Sequence, residues 1–129
     1  MENFYIAATP SSPEVDFRFD AGTLSLRGES YPENAAAFYG QIISILKNYL
    51  SQQSGERIEI NIALAYFNSS STKMLFNLIE ALNDAVDAGN RVTVNWYHDE
   101  EDETILEFGE EISEDFATIE FIIHAVKQA

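Results

Sequence analysis

The sequence predicts a single α/β domain in which a mixed β-sheet carries its helices mainly on one face. Three observations support this prediction. The chain has 129 residues, 46% of them hydrophobic, which is the size of one domain with a substantial core. The predicted strands alternate apolar with polar side chains, as strands do when one face of a sheet is buried. Two longer segments carry apolar residues at helical spacing. We therefore expect residues 1–129 to form one domain.

The first part of the chain predicts a short strand, a β-hairpin and a helix. Phe4 to Ala8 is the short strand, and the alternating runs Val15–Phe19 and Leu24–Leu26 form the hairpin. The segment Ser30–Glu33 matches a capping box, in which a serine and an acid three residues later bond the first free amides of a helix. We therefore expect Ser30 to cap the first helix, which should continue to about Leu50. Its apolar stripe consists of Ala35, Phe38, Tyr39, Ile42, Ile45, Leu46 and Tyr49.

The second part of the chain alternates strands with helices. The clearest strand runs from Ile58 to Tyr66, with an apolar residue at every second position. A second amphipathic helix should begin within a residue or two of Ser70, and a strand over Val92–Trp96 follows it. A short helix with Ile105–Ile112 and a last strand over Ile119–Ile123 complete the order ββ(β)αβαβαβ. This order resembles the layout of STAS-type regulatory domains.

The charge of the chain limits its partners. The formal net charge is −15, from 22 acidic and 7 basic residues, and such a surface repels phosphate backbones. Nucleic acids and anionic membranes are therefore poor partners. No apolar run reaches the roughly 18 residues of a membrane span, and the N-terminus lacks the pattern of a signal peptide. Together with the absence of cysteine, these features lead us to expect a cytoplasmic protein.

The sequence gives little support for catalysis. His98 and His124 are its only histidines, and they form no HxH or HExxH pattern. Nucleophile-elbow and phosphate-binding glycine motifs are also absent, so we expect no catalytic residue and no cofactor. The acidic run Asp99–Glu103 could bind a hard cation together with His98, although it lacks the spacing of an EF-hand loop. A small metal-binding domain therefore remains an alternative.

The segment from Asn68 to Thr72 is the candidate regulatory site. It contains four consecutive hydroxyl residues after an asparagine and lies between the clearest strand and the second helix. One Asn or Ser would suffice to cap that helix, so the cluster exceeds the capping need. The N-terminus of a helix also stabilises a phosphate through its free amides and its dipole. The cluster is therefore either a helix cap or a phosphorylation site.

Three motifs in the same order resemble the SiaC family of bacterial regulatory phosphoproteins. They are GESYPEN at 28–34, YFNSSSTK at 66–73 and VNWY at 94–97, which precedes the acidic run. The resemblance implies a STAS-like fold without enzymatic activity. It also implies that the phosphoacceptor is the residue directly after Asn68, which is Ser69. The neighbours Asn68, Ser70, Ser71 and Thr72 are then expected to cap the helix or to contact a partner.

The resemblance also implies three protein partners. A cognate kinase would phosphorylate Ser69, and a PP2C-type phosphatase would remove the phosphate. The unphosphorylated protein would bind and activate a diguanylate cyclase, which sets the output of cyclic-di-GMP. An antagonist of an anti-sigma factor, which uses a similar fold and a similarly placed serine, is a second interpretation.

Overall fold

A computed structural model describes residues 2–127, and within that range it contains six strands and three helices. The strands are β1 (Phe4–Ile6), β2 (Glu14–Arg18), β3 (Thr23–Ser30), β4 (Arg57–Phe67), β5 (Arg91–Asp99) and β6 (Glu120–Val126). The helices are α1 (Ala35–Leu50), α2 (Ser69–Asp87) and α3 (Glu103–Asp115). None of these helices combines the length and the apolar character that a membrane crossing requires.

The sheet is mixed, and its strands lie in the order of the sequence. β1, β2 and β3 pair antiparallel, whereas β3, β4, β5 and β6 pair parallel. Each parallel connection passes through one helix, and such crossovers are almost always right-handed. Because every crossover steps in the same direction along the sheet, all three helices lie on the same face. The predicted mixed sheet with helices on one face is confirmed.

The core lies between that face and the helices. The inward side chains of β4 from Ile58 to Leu64 and of β5 from Val92 to Trp96 are buried, and registered pairs such as Ile60–Val94 and Ile62–Trp96 form the floor of the core. α2 covers them with Leu75, Leu78, Ile79 and Leu82, each 0% exposed. α3 packs closely on the Trp96 indole, which donates to the Ile105 carbonyl at 2.9 Å. A Cβ at Gly109 would lie 2.5 Å from the Trp96 ring, so this packing requires glycine.

The predicted start of α1 is wrong. The helix begins at Ala35, and its N-cap is Asn34, whose side chain accepts from the Ala37 amide at 3.0 Å. Ser30 is instead the last residue of β3, where it lies opposite Phe67 and is 0% exposed. The ladder with β4 holds Ser30 in extended backbone, so its hydroxyl turns into the protein instead of capping a helix.

The predicted inward position of Tyr66 is also wrong. Gly28 pairs with Leu64 and Glu29 pairs with Tyr66, so Ala65 has no partner in the ladder. This irregularity reverses the alternation, as a β-bulge does. Tyr66 consequently faces outward and is 49% exposed, while Phe67 points inward and contacts the core.

Candidate functional site

Asn68 caps α2 and fixes the position of the hydroxyl cluster. Its side-chain oxygen accepts from the Ser71 amide at 3.0 Å, and its carbonyl accepts from the Thr72 amide at 3.1 Å. The predicted helix start near Ser70 agrees with the observed start at Ser69. Because Asn68 serves as the cap, Ser69 is the first helical residue after it.

The four hydroxyl residues have different environments. Ser71 is 0% exposed and donates to the Ser30 carbonyl, so it neither caps the helix nor faces solvent. The Thr72 hydroxyl donates to the Ser69 carbonyl at 2.6 Å. Ser69 and Ser70 are exposed, and among residues 2–127 their hydroxyls have no hydrogen-bond partner. The structure thus leaves two of the four hydroxyls available to another protein.

The electrostatics around Ser69 favour an added anion. The amides of Ser69 and Ser70 have no acceptor among residues 2–127, as is usual in the first turn of a helix. Lys73 lies one helical turn after Ser69 and is exposed. The starts of α1 and α2 together form an open groove of about 440 Å³, whose lining includes Ser69, Ser70, Lys73 and Glu33. Both first turns are uncharged, which leaves their positive dipole ends uncompensated within the helices.

A buried chain of hydroxyl groups lies beneath this turn. The phenol oxygen of Tyr39, on α1, lies 2.6 Å from Ser30 Oγ, and Ser30 Oγ in turn donates to Ser71 Oγ at 2.9 Å. Ser71 Oγ donates to the Ser30 carbonyl oxygen at 3.0 Å. Because each hydroxyl has one proton, this order requires Tyr39 to donate to Ser30. Burial raises the pKa of Tyr39 to about 12, although its hydrogen bond with Ser30 acts in the opposite direction, so the phenol keeps its proton at neutral pH.

An exposed aromatic pair lies beside the hydroxyl cluster and was missed by the sequence analysis. Tyr31 and Tyr66 are 40% and 49% exposed, and their rings meet edge to face with centroids 5.8 Å apart. Tyr66 pairs with Glu29 in the ladder between β3 and β4, and Tyr31 directly follows Ser30, which pairs with Phe67. The one sequence signal for this geometry is Gly28, whose φ of +120° favours glycine next to the irregular register. Exposed tyrosines are common anchors in protein interfaces.

The acidic run and the histidines have structural roles of their own. Asp102 caps α3 by accepting from the Ile105 amide, and Asp99 accepts from the Glu101 amide. His98 is 6% exposed, and its Nδ1 lies 2.8 Å from the Asp99 carbonyl oxygen. His124 is half-buried, with Nε2 3.0 Å from the side-chain oxygen of Asn95. Residues 2–127 contain no cluster of three or more His, Cys, Asp or Glu arranged to hold a metal ion.

The family profile of the SiaC regulatory phosphoproteins matches residues 6–126. The chain belongs to the SiaC family. The resemblance noted in the sequence is thereby confirmed over nearly the whole chain, and the family places this protein among regulatory proteins.

Several relatives of this SiaC-family chain occur in Pseudomonas aeruginosa. An uncharacterized protein of strain UCBPP-PA14 is 34% identical over 116 residues, covering 89% of this chain and 90% of the relative. The crystal structure of apo-SiaC superposes with a TM-score of 0.88 at 32% identity, covering 97% of this chain and 100% of that one. A crystal structure of the diguanylate cyclase SiaD in complex with its activator SiaC matches with the same TM-score and identity, covering 95% and 99% of the two chains.

Proposed function

We propose that this protein is a cytoplasmic, non-enzymatic regulator that binds and activates a diguanylate cyclase, and that phosphorylation of Ser69 stops this binding. Membership of the SiaC family supports the regulatory class, and the activator role of the related SiaC supports the choice of effector. The observation that carries the switch is the exposed Ser69 hydroxyl, which directly follows the Asn68 cap at a helix start that favours negative charge.

The covalent step requires two partner enzymes. A kinase transfers the terminal phosphoryl group of a nucleoside triphosphate to Ser69 Oγ. The new Oγ–P bond replaces the bond to the nucleoside diphosphate, and a kinase base takes the hydroxyl proton. A PP2C-type phosphatase reverses the modification by hydrolysis: the oxygen of a water molecule forms the new bond to phosphorus, the Oγ–P bond breaks, and Ser69 Oγ takes up a proton as inorganic phosphate leaves. The chain itself contributes only the acceptor oxygen and its surroundings.

The fold should tolerate the phosphate. The group adds about −1.5 to −2 charge at neutral pH, next to the free amides of Ser69 and Ser70. The helix N-terminus stabilises such a charge by up to ~1–2 kcal/mol. Lys73 is exposed, so an ion pair with the phosphate adds at most about 1 kcal/mol. Both terms act against the repulsion from a chain whose net charge is already −15.

Mass spectrometry of protein isolated from the source bacterium tests the modification. We expect one phosphate on the peptide that contains 68–73, and fragmentation should assign it to Ser69, the residue directly after Asn68 that the family resemblance implies. Ser71 is buried and the Thr72 hydroxyl is already bonded, so neither is expected to carry phosphate. Ser69→Ala, expressed from the native locus, should carry none. Phosphate on Ser70 with Ser69 unmodified, or undiminished phosphate on the Ser69→Ala protein, would contradict the assignment.

The Tyr31–Tyr66 pair is the part of this surface on which we expect the cyclase to anchor. Aromatic residues supply large apolar contact areas, and truncating an anchor typically costs 2 kcal/mol or more, roughly thirtyfold in affinity. Tyr66→Ala should therefore weaken cyclase binding by about that factor, as measured by calorimetry with the purified cyclase. The matched control is Tyr5→Ala, which removes a 60% exposed tyrosine from the edge strand β1, whereas Tyr31 and Tyr66 lie at the ends of the central strands β3 and β4. Equal affinities of the two variants would exclude the pair as an anchor.

A further inference from the structure

The hydroxyl chain beneath α2 has a consequence for the choice among neighbouring serines. Ser69, Ser70 and Ser71 have the same chemistry, and a kinase that docks on this turn meets all three within one turn of helix. Phosphoryl transfer requires an oxygen that the kinase can reach. Ser71 Oγ is buried, donates its proton to the Ser30 carbonyl and accepts from Ser30 Oγ. The hydroxyl chain therefore keeps Ser71 out of reach of the kinase.

We propose that Ser30 and Tyr39 are positioning residues that confine phosphorylation to the outward side of the turn by holding Ser71 in the core. This inference rests on the proposed function, since it concerns the choice of acceptor in that modification. It assigns to the end of β3 and to α1 a role in specificity that neither the acceptor residue nor the helix cap provides alone.

The Ser30 carbonyl is the fixed point of the arrangement. It accepts from the Asn68 amide at 3.0 Å and from Ser71 Oγ at 3.0 Å, so the residues on both sides of the pair Ser69–Ser70 are tied to one atom of the sheet. Successive helical residues point about 100° apart, and three residues span most of a turn. With Asn68 and Ser71 held against the sheet, Ser69 and Ser70 must project toward solvent, where both are exposed.

Tyr39 keeps Ser30 in the required orientation. Its phenol is a permanent donor at neutral pH and satisfies the Ser30 oxygen, which leaves the Ser30 proton free for Ser71. Removing the phenol hydroxyl leaves a buried acceptor without a donor and allows the Ser30 hydroxyl to rotate. Removing the Ser30 hydroxyl leaves Ser71 without its donor. In both cases the first turn of α2 loses part of its attachment to β3, and Ser71 can rotate outward.

Two variants and two controls test this inference in full-length protein expressed from the native locus. Tyr39→Phe keeps the packing volume and removes only the phenol hydroxyl. Ser30→Ala removes the hydroxyl that links Tyr39 to Ser71. Ser113→Ala removes a hydroxyl that donates to a carbonyl of its own helix α3. Ile112→Val destabilises the core moderately at a site on α3 and serves as the control for lost stability.

Two readouts are compared between these proteins. Amide hydrogen exchange at Asn68 and Ser71 reports the attachment of the turn, and we expect it to be at least about tenfold faster in Tyr39→Phe and Ser30→Ala than in the controls. Fragmentation mass spectrometry reports the acceptor, and we expect phosphate to appear on Ser71 in both variants. In wild type, Ser113→Ala and Ile112→Val the phosphate should stay on Ser69.

The outcomes separate this inference from the proposed function. Absence of phosphate from the wild type would reject the proposal that this protein is phosphorylated. The amide exchange rates would still decide whether Tyr39 and Ser30 hold the first turn of α2. Phosphate confined to Ser69 in both variants would overturn the specificity role. If the amides of Asn68 and Ser71 exchange at the wild-type rate in Tyr39→Phe, the positioning role is overturned, even if Ser30→Ala fails to fold. Phosphate on Ser71 in Ile112→Val would show that lost stability alone moves the acceptor, which also overturns the proposal.

Discussion

Leu78→Ala should destabilise the protein by about 2–5 kcal/mol, since a buried leucine loses its transfer free energy and leaves a cavity behind. Leu78 is 0% exposed and lies at the centre of the α2 stripe that covers the sheet. A domain of ordinary stability unfolds at a cost of about 5–15 kcal/mol, so the loss is a large fraction of the total. The melting temperature should fall by on the order of 10 °C.

The matched control for this change lies on the same helix. Glu80 is exposed, and Glu80→Ala should change the free energy of unfolding by no more than about 0.5 kcal/mol. Thermal and chemical unfolding of both variants give the comparison. Similar losses in the two proteins would contradict the assignment of the buried face of α2.

Phosphorylation of Ser69 should weaken binding of the cyclase by about a hundredfold or more, because an unpaired charge in an interface costs several kcal/mol and each ~1.4 kcal/mol is tenfold. The phosphate lies on the exposed first turn of α2, next to the Tyr31–Tyr66 pair on which we expect the partner to dock. Lys73 is the basic residue of the groove beside it, and its solvated charge pairs too weakly to neutralise a dianion in a dry contact. The unmodified protein carries no such charge.

Two variants of Ser69 separate the contribution of the hydroxyl to cyclase binding from that of the added negative charge. Ser69→Ala removes the acceptor and a small exposed hydroxyl, so it should bind the cyclase as the wild type does and should resist the kinase. Ser69→Asp places one charge near the position of the phosphate, with fewer acceptor oxygens, and should weaken binding less than the phosphate does. Equal binding by the aspartate variant and the phosphorylated protein would mean that one negative charge accounts for the whole effect.

The sequence predicts most of the fold because its strands expose one face. Alternation in Ile58, Ile60 and Ile62 identifies the buried side of β4 directly, and the spacing of Leu75 and Leu78 does the same for α2. The prediction fails where a long-range contact overrides a local pattern. Ser30 matches a capping box, yet pairing with β4 makes it the end of a strand. Tyr66 continues the alternation, yet the unpaired Ala65 turns it outward.

Local sequence patterns also predict part of the candidate site. A run of hydroxyl residues after Asn68 indicates a helix start, and the start occurs there. The spacing of these residues cannot predict which hydroxyls are exposed, because their exposure depends on what lies beneath the turn. Ser71 is buried by contacts with Ser30, which is far from it in the sequence, and the pairing of Tyr31 with Tyr66 arises from the register of two strands. Such relationships become visible only in three dimensions.

The central claim is that phosphorylation of Ser69 stops cyclase binding without unfolding the protein. The most direct test measures the affinity of the cyclase for unmodified and for kinase-treated protein, together with the melting temperature of each. Wild type and Ser69→Ala are each incubated with the cognate kinase and a nucleoside triphosphate, and bound phosphate is quantified. We expect treated wild type to carry one phosphate, to bind about a hundredfold or more weakly and to melt within a few degrees of the unmodified protein. Treated Ser69→Ala should carry none and bind as before. Unchanged affinity of the phosphorylated wild type, or a large fall in its melting temperature, would contradict a switch that acts on the surface of a folded protein.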